Sequence, residues 1–143
     1  MNGLDKYHVV LACAAFIVNR ENKILIVKKS PDEKVDGGLW TVPGGKVEPT
    51  EHILDALKRE AKEESNMDLV DYMWLNEDVF EGGGSYYHGQ HFLCRTANED
   101  DVQLESKLLA YEWIAESDLN SHEFHPNIRR ELQFIFDFLK SRS

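Results

Sequence analysis

The stretch Arg59-Glu60-Ala61-Lys62-Glu63-Glu64 constrains this chain more than any other. At about 100° per residue, a helix there carries Glu60, Glu63 and Glu64 within one arc of roughly 100°. Like charges three and four residues apart each cost a helix roughly a few tenths of a kcal/mol, and the negative end of the helix dipole adds to the penalty. Three carboxylates in that position lower stability unless a cation sits among them. Hard divalent ions such as Mg²⁺ take oxygen ligands of this kind and commonly contact substrate phosphates too. A solvated acidic face explains the same residues when they are taken alone, so the reading turns on their surroundings.

Those surroundings are helical from Thr50 onward. Ile53, Leu54, Leu57 and Ala61 recur at helical spacing, Thr50 and Glu51 stand where an N-cap and a favourable first-turn charge belong, and Ser65-Asn66 ends the run. Before it, His8 to Asn19 reads as a long strand, partly buried on both faces, and Arg20 to Lys23 as a polar turn. Ile24 to Lys28 then reads as the return strand of a hairpin, and Leu39 to Val42 as a short strand stopped by Pro43-Gly44-Gly45. After the helix, Met67 to Phe80, Ser85 to Thr96 and Leu108 to Ile114 read as strands. Glu116 to Leu119 is a short turn, and Pro126 to Lys140 is an amphipathic terminal helix with Ile128, Leu132, Ile135, Phe136 and Leu139 inward. Many strands with two separated helices predict an α/β (α+β) sandwich, and no repeat or linker divides residues 1–143, so one domain is expected.

Composition narrows the partners. With 26 acidic against 16 basic side chains and a formal net charge of -10, the surface is a poor match for nucleic acid or an anionic membrane. No stretch reaches the roughly 18 to 20 apolar residues that span a bilayer, and Met1 to Tyr7 is polar, without the arrangement of a signal peptide. The 2 cysteines, Cys13 and Cys94, lie in apolar runs and read as buried thiols of a reducing, cytoplasmic compartment.

The acidic helix follows a glycine-rich segment, Gly37 to Gly45. From Gly45 the order is five residues, Glu51, seven residues, Arg59-Glu60, an apolar position, one residue, then Glu63-Glu64. From Gly45 to Met67 this resembles the box of the Nudix hydrolases, with Ala61 at an aliphatic position and Asn66 in place of the final glycine. Asn tolerates the left-handed conformation better than other residues with side chains, so the turn is expected to survive. The resemblance implies a Nudix-like α/β/α sandwich with a central mixed sheet, box helix and C-terminal helix.

It also implies chemistry: hydrolysis of a diphosphate linkage in a nucleoside diphosphate derivative, with Mg²⁺ or Mn²⁺ as cofactor. Glu60, Glu63 and Glu64, with the main-chain carbonyl of Gly45, would hold the metal; Glu60 or Glu63 would serve as base. Arg59 would orient the ligands, and Glu51 would tie the loop to the helix. Glu105 and Glu112 are candidates for an extra ligand or base outside the box, with Glu81 behind them, although an exposed acidic residue explains each equally well. For substrate binding, Lys28 and its neighbour Lys29 are placed to meet a phosphate, and Trp40, Tyr86, Tyr87 or Phe92 to stack on a base, against the ordinary roles of solvated lysine and core aromatic.

His88 with His91, and His122 with His125, invite a zinc reading. The first pair falls on opposite strand faces and the second sits in a loop without cysteine partners, so neither is favoured. The expected partner is a small nucleotide, with free (deoxy)nucleoside triphosphates, including modified ones, ahead of nucleotide sugars and dinucleoside polyphosphates. A homodimer is compatible with the resemblance. The competing reading is a nucleotide-sensing domain that binds without cleaving.

Overall fold

The computed structural model describes residues 7–142, so the polar segment Met1 to Lys6 lies outside the described residues. Strand β1, Val9–Ile17, is the spine. Its alternate residues go to two different cores. Cys13, Ala15 and Ile17 face helix α1, Ile53–Ser65, and pack with Ala56, Leu57 and Ala61. Phe16 faces helix α2, Pro126–Ser141, and packs with Leu132, Ile135 and Phe136. A strand read as buried on both faces is therefore sandwiched between two helices, as period-2 alternation requires. Ala61 has no exposed surface, so the small side chain lets α1 lie close to the sheet.

Two sheets carry the other strands. In the first, β1 pairs antiparallel with β4, Gly44–Lys46, and parallel with β6, Ser85–Thr96. β6 in turn pairs antiparallel with β5, Leu69–Gly82, giving the order β4-β1-β6-β5. In the second, β2, Ile24–Lys29, lies between β3, Trp40–Thr41, and β7, Leu108–Ile114. The first sheet is the mixed one, and the fold is α+β.

Three expectations need correction. The β1–β2 hairpin does not form: the strands diverge into different sheets after a single bridge between Val18 and Ile24. The Asn19 side chain closes the Asn19–Lys23 turn by accepting from the Glu21 and Lys23 N–H groups, and beyond it β2 pairs with β7 instead. Gly44 and Gly45 are a strand, not a loop, since their backbone pairs with Ala14 and Cys13. Helix α1 begins at Ile53 with His52 as its N-cap and no capping side chain, because Glu51 is turned back to accept from the Glu48 N–H at 3.1 Å.

The far end of α1 closes as expected. Asn66 takes φ 64°, its N–H reaches the Lys62 carbonyl at 2.9 Å, and Met67 N–H reaches Ala61 at 3.3 Å. Asn66 does more than a glycine could. Its side-chain amide donates to the Asp101 carbonyl at 3.1 Å, while its main-chain carbonyl accepts from Asn98 at 2.8 Å as any residue's could.

Candidate active site

Arg59 organises the box helix. Its Nε and Nη2 make a two-pronged contact with Glu51 at 2.7 and 2.9 Å. Its Nη1 donates to Glu60 at 2.9 Å and Glu63 at 3.3 Å, and Nη2 also reaches the Lys46 carbonyl at 3.2 Å. One guanidinium thus fastens the end of β4, the loop at Glu51 and two of the three box carboxylates. The contact holds the Glu51 carboxyl down at about 2 and raises the guanidinium above its already high range.

Glu60 is pressed against β4. A Cβ on Gly45 would stand 2.7 to 2.8 Å from its Cδ and both carboxylate oxygens, so this close approach requires glycine. The Glu60 side chain is 14% exposed; burial raises its pKa, Arg59 opposes the rise, and Glu63 and Glu105 add to it. Glu64 lies one turn on and accepts from the Gly44 N–H at 3.1 Å. Burial above all, then the charges of Glu60 and Glu105, push its pKa up to about 8 against the pull of Gly44 N–H and Lys29. Glu63 is 55% exposed. Glu105 joins because its segment runs beside the end of α1: Gln103 N–H bonds to the Ser65 carbonyl at 3.1 Å and Glu105 N–H to the Glu64 carbonyl at 3.0 Å.

Half-buried, like-charged oxygen donors beside a glycine cradle are the chemistry a hard divalent cation fits. In this arrangement Glu60 and Glu63 turn toward Arg59, and among the described residues no three His, Cys, Asp or Glu side chains converge on one point. The Glu60 carboxylate, with Arg59 on one side and Gly45 on the other, is the hinge of the cluster.

Two cavities meet at β1. The smaller, about 180 Å³, is lined by Cys13, Ala14, Lys29, Gly44, Gly45 and Glu64 among others. The larger, about 500 Å³, shares Cys13 and Ala14 as floor and has Lys34, Phe80, Tyr87 and His91 in its walls. Of the residues picked for substrate contact, Tyr87 lines the larger cavity, stacked on Phe80 with centroids 5.0 Å apart. Lys28 and Trp40 line neither; the Trp40 ring stands edge-on to His122, and Lys29, on the opposite face of β2 from Lys28, lines the smaller cavity instead. Phe92 is core, and Tyr86 is partly exposed outside both cavities. Glu112 accepts from His122 Nε2 at 2.8 Å, apart from the cluster, while Glu81 borders the larger cavity.

His125 caps α2, its Nδ1 accepting from the Asn127 N–H at 3.1 Å. Two residues of interest escaped the sequence reading: His91 was weighed only as a zinc ligand, and Glu131, its partner at 2.8 Å, was not singled out. The available signal was an acidic side chain at helical spacing from Ile128 and Ile135, on a face otherwise apolar.

A family model described as the NUDIX domain matches residues 8–134. The nucleoside triphosphatase NudI of Escherichia coli is 28% identical over 129 residues, which cover 82% of this chain and 90% of that protein. The m7GpppN-mRNA hydrolase NUDT17 of Bos taurus is 27% identical over 111 residues, 70% of this chain but 37% of that protein, so the chain spans little more than a third of that relative. Among solved structures, the MutT protein from Methanosarcina mazei Go1 has a TM-score of 0.77 at 24% identity, covering 94% of this chain and 97% of the other. An Ap4A hydrolase from C. elegans has a TM-score of 0.76 at 24% identity, covering 92% and 98%. At these identities the structural matches speak to the fold.

Proposed function

Because the chain belongs to the Nudix hydrolases, we propose that residues 1–143 act as one domain that cleaves the diphosphate linkage of a nucleoside diphosphate derivative with a divalent metal ion. The leading substrate is a (deoxy)nucleoside triphosphate or a modified nucleotide. The observation that carries this reading is the half-buried pair Glu60 and Glu64, pressed against Gly45 and Gly44, beside a cavity that shares its floor with a larger one. The activity in NudI's name favours triphosphates over nucleotide sugars and dinucleoside polyphosphates.

The Gly45 carbonyl with Glu60, Glu63 and Glu64 would hold Mg²⁺, with Mn²⁺ as a substitute. When bound, such an ion neutralises phosphate oxygens and brings the pKa of a water toward neutrality. The protein's own groups do the rest. A carboxylate oxygen of Glu60 or Glu63 takes the proton of the attacking water. Arg59 holds both in place. Lys29, across the smaller cavity from Glu64, meets a phosphate oxygen, and Glu105 stands by as a further acceptor. The larger cavity receives the base against Tyr87 and Phe80. Lys28, Trp40 and Glu112 have no part in this reading. The buried free thiols fit a reducing cytoplasm, and among the described residues no helix is long and apolar enough to cross a membrane.

The test is a panel of nucleoside triphosphates, modified triphosphates, nucleotide sugars and dinucleoside polyphosphates with Mg²⁺ or Mn²⁺, scored for pyrophosphate or mononucleotide release. Glu63→Gln should lower the rate about 10²- to 10⁴-fold with an unchanged circular-dichroism spectrum. No release by wild type from any member would overturn the reading in favour of a sensing domain.

A further inference from the structure

His91 and Glu131 form a buried pair that the proposed chemistry does not use. Each is 5% exposed, and His91 Nδ1 lies 2.8 Å from Glu131 Oε1. On β6 the His91 side chain follows the pleat to the α2 side, where its ring tilts against Phe16 at 5.1 Å. Burying an acidic side chain on the apolar face of α2 is costly, and His91 is its only side-chain hydrogen-bond partner among the described residues. A carboxylate accepts, so the proton at this contact sits on Nδ1, and a neutral ring then has its lone pair on Nε2.

That Nε2 has no partner among the described residues. Yet no sealed polar side-chain atom among them lacks a hydrogen bond. Nε2 must therefore border open space. His91 lines two spaces, the 500 Å³ cavity and one of about 330 Å³ behind it that Glu131 also lines. The Nδ1 edge is committed to Glu131 on the rear side, which leaves Nε2 for the larger cavity. Around it stand Ala12, Ala14, Ile128 and the parallel Phe80–Tyr87 stack, tilted 4°. Asp36, Asp78, Glu81 and His125 also line the cavity, but its surface is mostly apolar, and a flat slot of this kind with the buried His91 nitrogen as an acceptor matches a nitrogen heterocycle that offers an N–H.

We infer that His91 is a specificity-determining residue: its Nε2 accepts a hydrogen bond from an N–H on the edge of a base bound in the larger cavity, with Glu131 as the positioning residue that fixes the tautomer. This rests on the nucleotide reading above but is tested without metal or phosphate. In protein labelled with ¹⁵N at histidine, titration with guanosine, adenosine, cytidine and uridine should move the His91 Nε2 resonance saturably for at least one of them.

His91→Phe should raise the Kd for that nucleoside, and the KM for its triphosphate, about tenfold or more, with little change in kcat. His91→Gln, whose amide reaches the Nε2 position, should recover most of the loss, and His91→Asn, which reaches the Nδ1 position, should not. Nucleoside binding that leaves the Nε2 resonance still, a His91→Phe protein with unaltered base preference, or no nucleoside binding at all would overturn the inference. If the nucleotide panel is inert while nucleosides bind through His91, the hydrolase reading fails and this one stands. A panel that is hydrolysed with no response at His91 gives the reverse.

Discussion

Substituting Gly45 by Ala separates the cation site from the fold that carries it. The added Cβ would stand 2.7 Å from the Glu60 Cδ and Oε2 and 2.8 Å from Oε1, against about 3.4 Å for ordinary contact, so the carboxylate must retreat by about 0.7 Å. It can do so cheaply, because it is the end of a flexible side chain. Gly45 does not adopt positive φ, so alanine adds no backbone strain there and loses some freedom in the unfolded chain. The melting temperature should therefore stay within about 3 °C of wild type.

Activity should not. Misplacing a reacting group by a distance on the order of 1 Å costs about 10²-fold. A disturbed ligand set should also move the Mg²⁺ midpoint upward about 10- to 100-fold. Gly44→Ala is the control: its Cβ would fall 2.3 Å from the Cys13 carbonyl oxygen and 2.9 Å from the Ala14 Cα, both backbone of the central strand. That overlap cannot be relieved by a side chain, and about 1–3 kcal/mol of destabilisation is expected. Thermal unfolding and Mg²⁺-dependent steady-state kinetics on the two variants read both effects. If Gly45→Ala keeps its kcat/KM and Mg²⁺ midpoint, or melts as early as Gly44→Ala, the role given to Glu60 is refuted.

Three further outcomes follow from the same geometry. Arg59→Lys keeps the charge but loses the fork that spans Glu51, Glu60 and the Lys46 carbonyl, and should cost about 10- to 100-fold in kcat/KM, measured at saturating Mg²⁺. Glu51 has an ordinary value of 4.5 and is held at about 2, so the folded value lies below the unfolded one. Its contribution to stability is present above about pH 4.5 and is lost as pH falls toward about 2; denaturation of wild type and Glu51→Gln across that window should converge at its acid end. Burial pushes the Cys13 thiol up to about 12 and Cys94 higher still, so iodoacetamide at about pH 8 should label neither in the folded protein and both in denaturant, by intact mass.

The box helix was legible because its signals are local. Charges repeat along one face, and Asn66 is one of few residues suited to φ 64°. The terminal helix was legible from Pro126 at its first turn and the apolar stripe after it. What depended on distant partners was not. Gly44 and Gly45 have no strand propensity, and they are a strand because the backbone of β1 offers them a ladder. β1 is apolar on both faces, so its sequence does not say which strand lies beside it; β6, some seventy residues on, takes the place expected of β2. The choice between Lys28 and Lys29 hung on which face of β2 turns toward Gly44 and Glu64, since successive side chains take opposite faces. The His91–Glu131 pair joins residues 40 apart in sequence, and only the folded chain brings them together.

The asparagine at the end of the box helix has a consequence beyond permitting a turn. Through its side-chain amide and its carbonyl it is pinned to Asp101 and Asn98, in the same stretch that leads to Glu105. The side-chain bond to Asp101, which a glycine there could not make, adds to the backbone bonds of Gln103 and Glu105 in fastening to the helix the strip of chain that delivers Glu105 beside Glu64. Position 66 and the 98–101 turn are thus one mechanical unit.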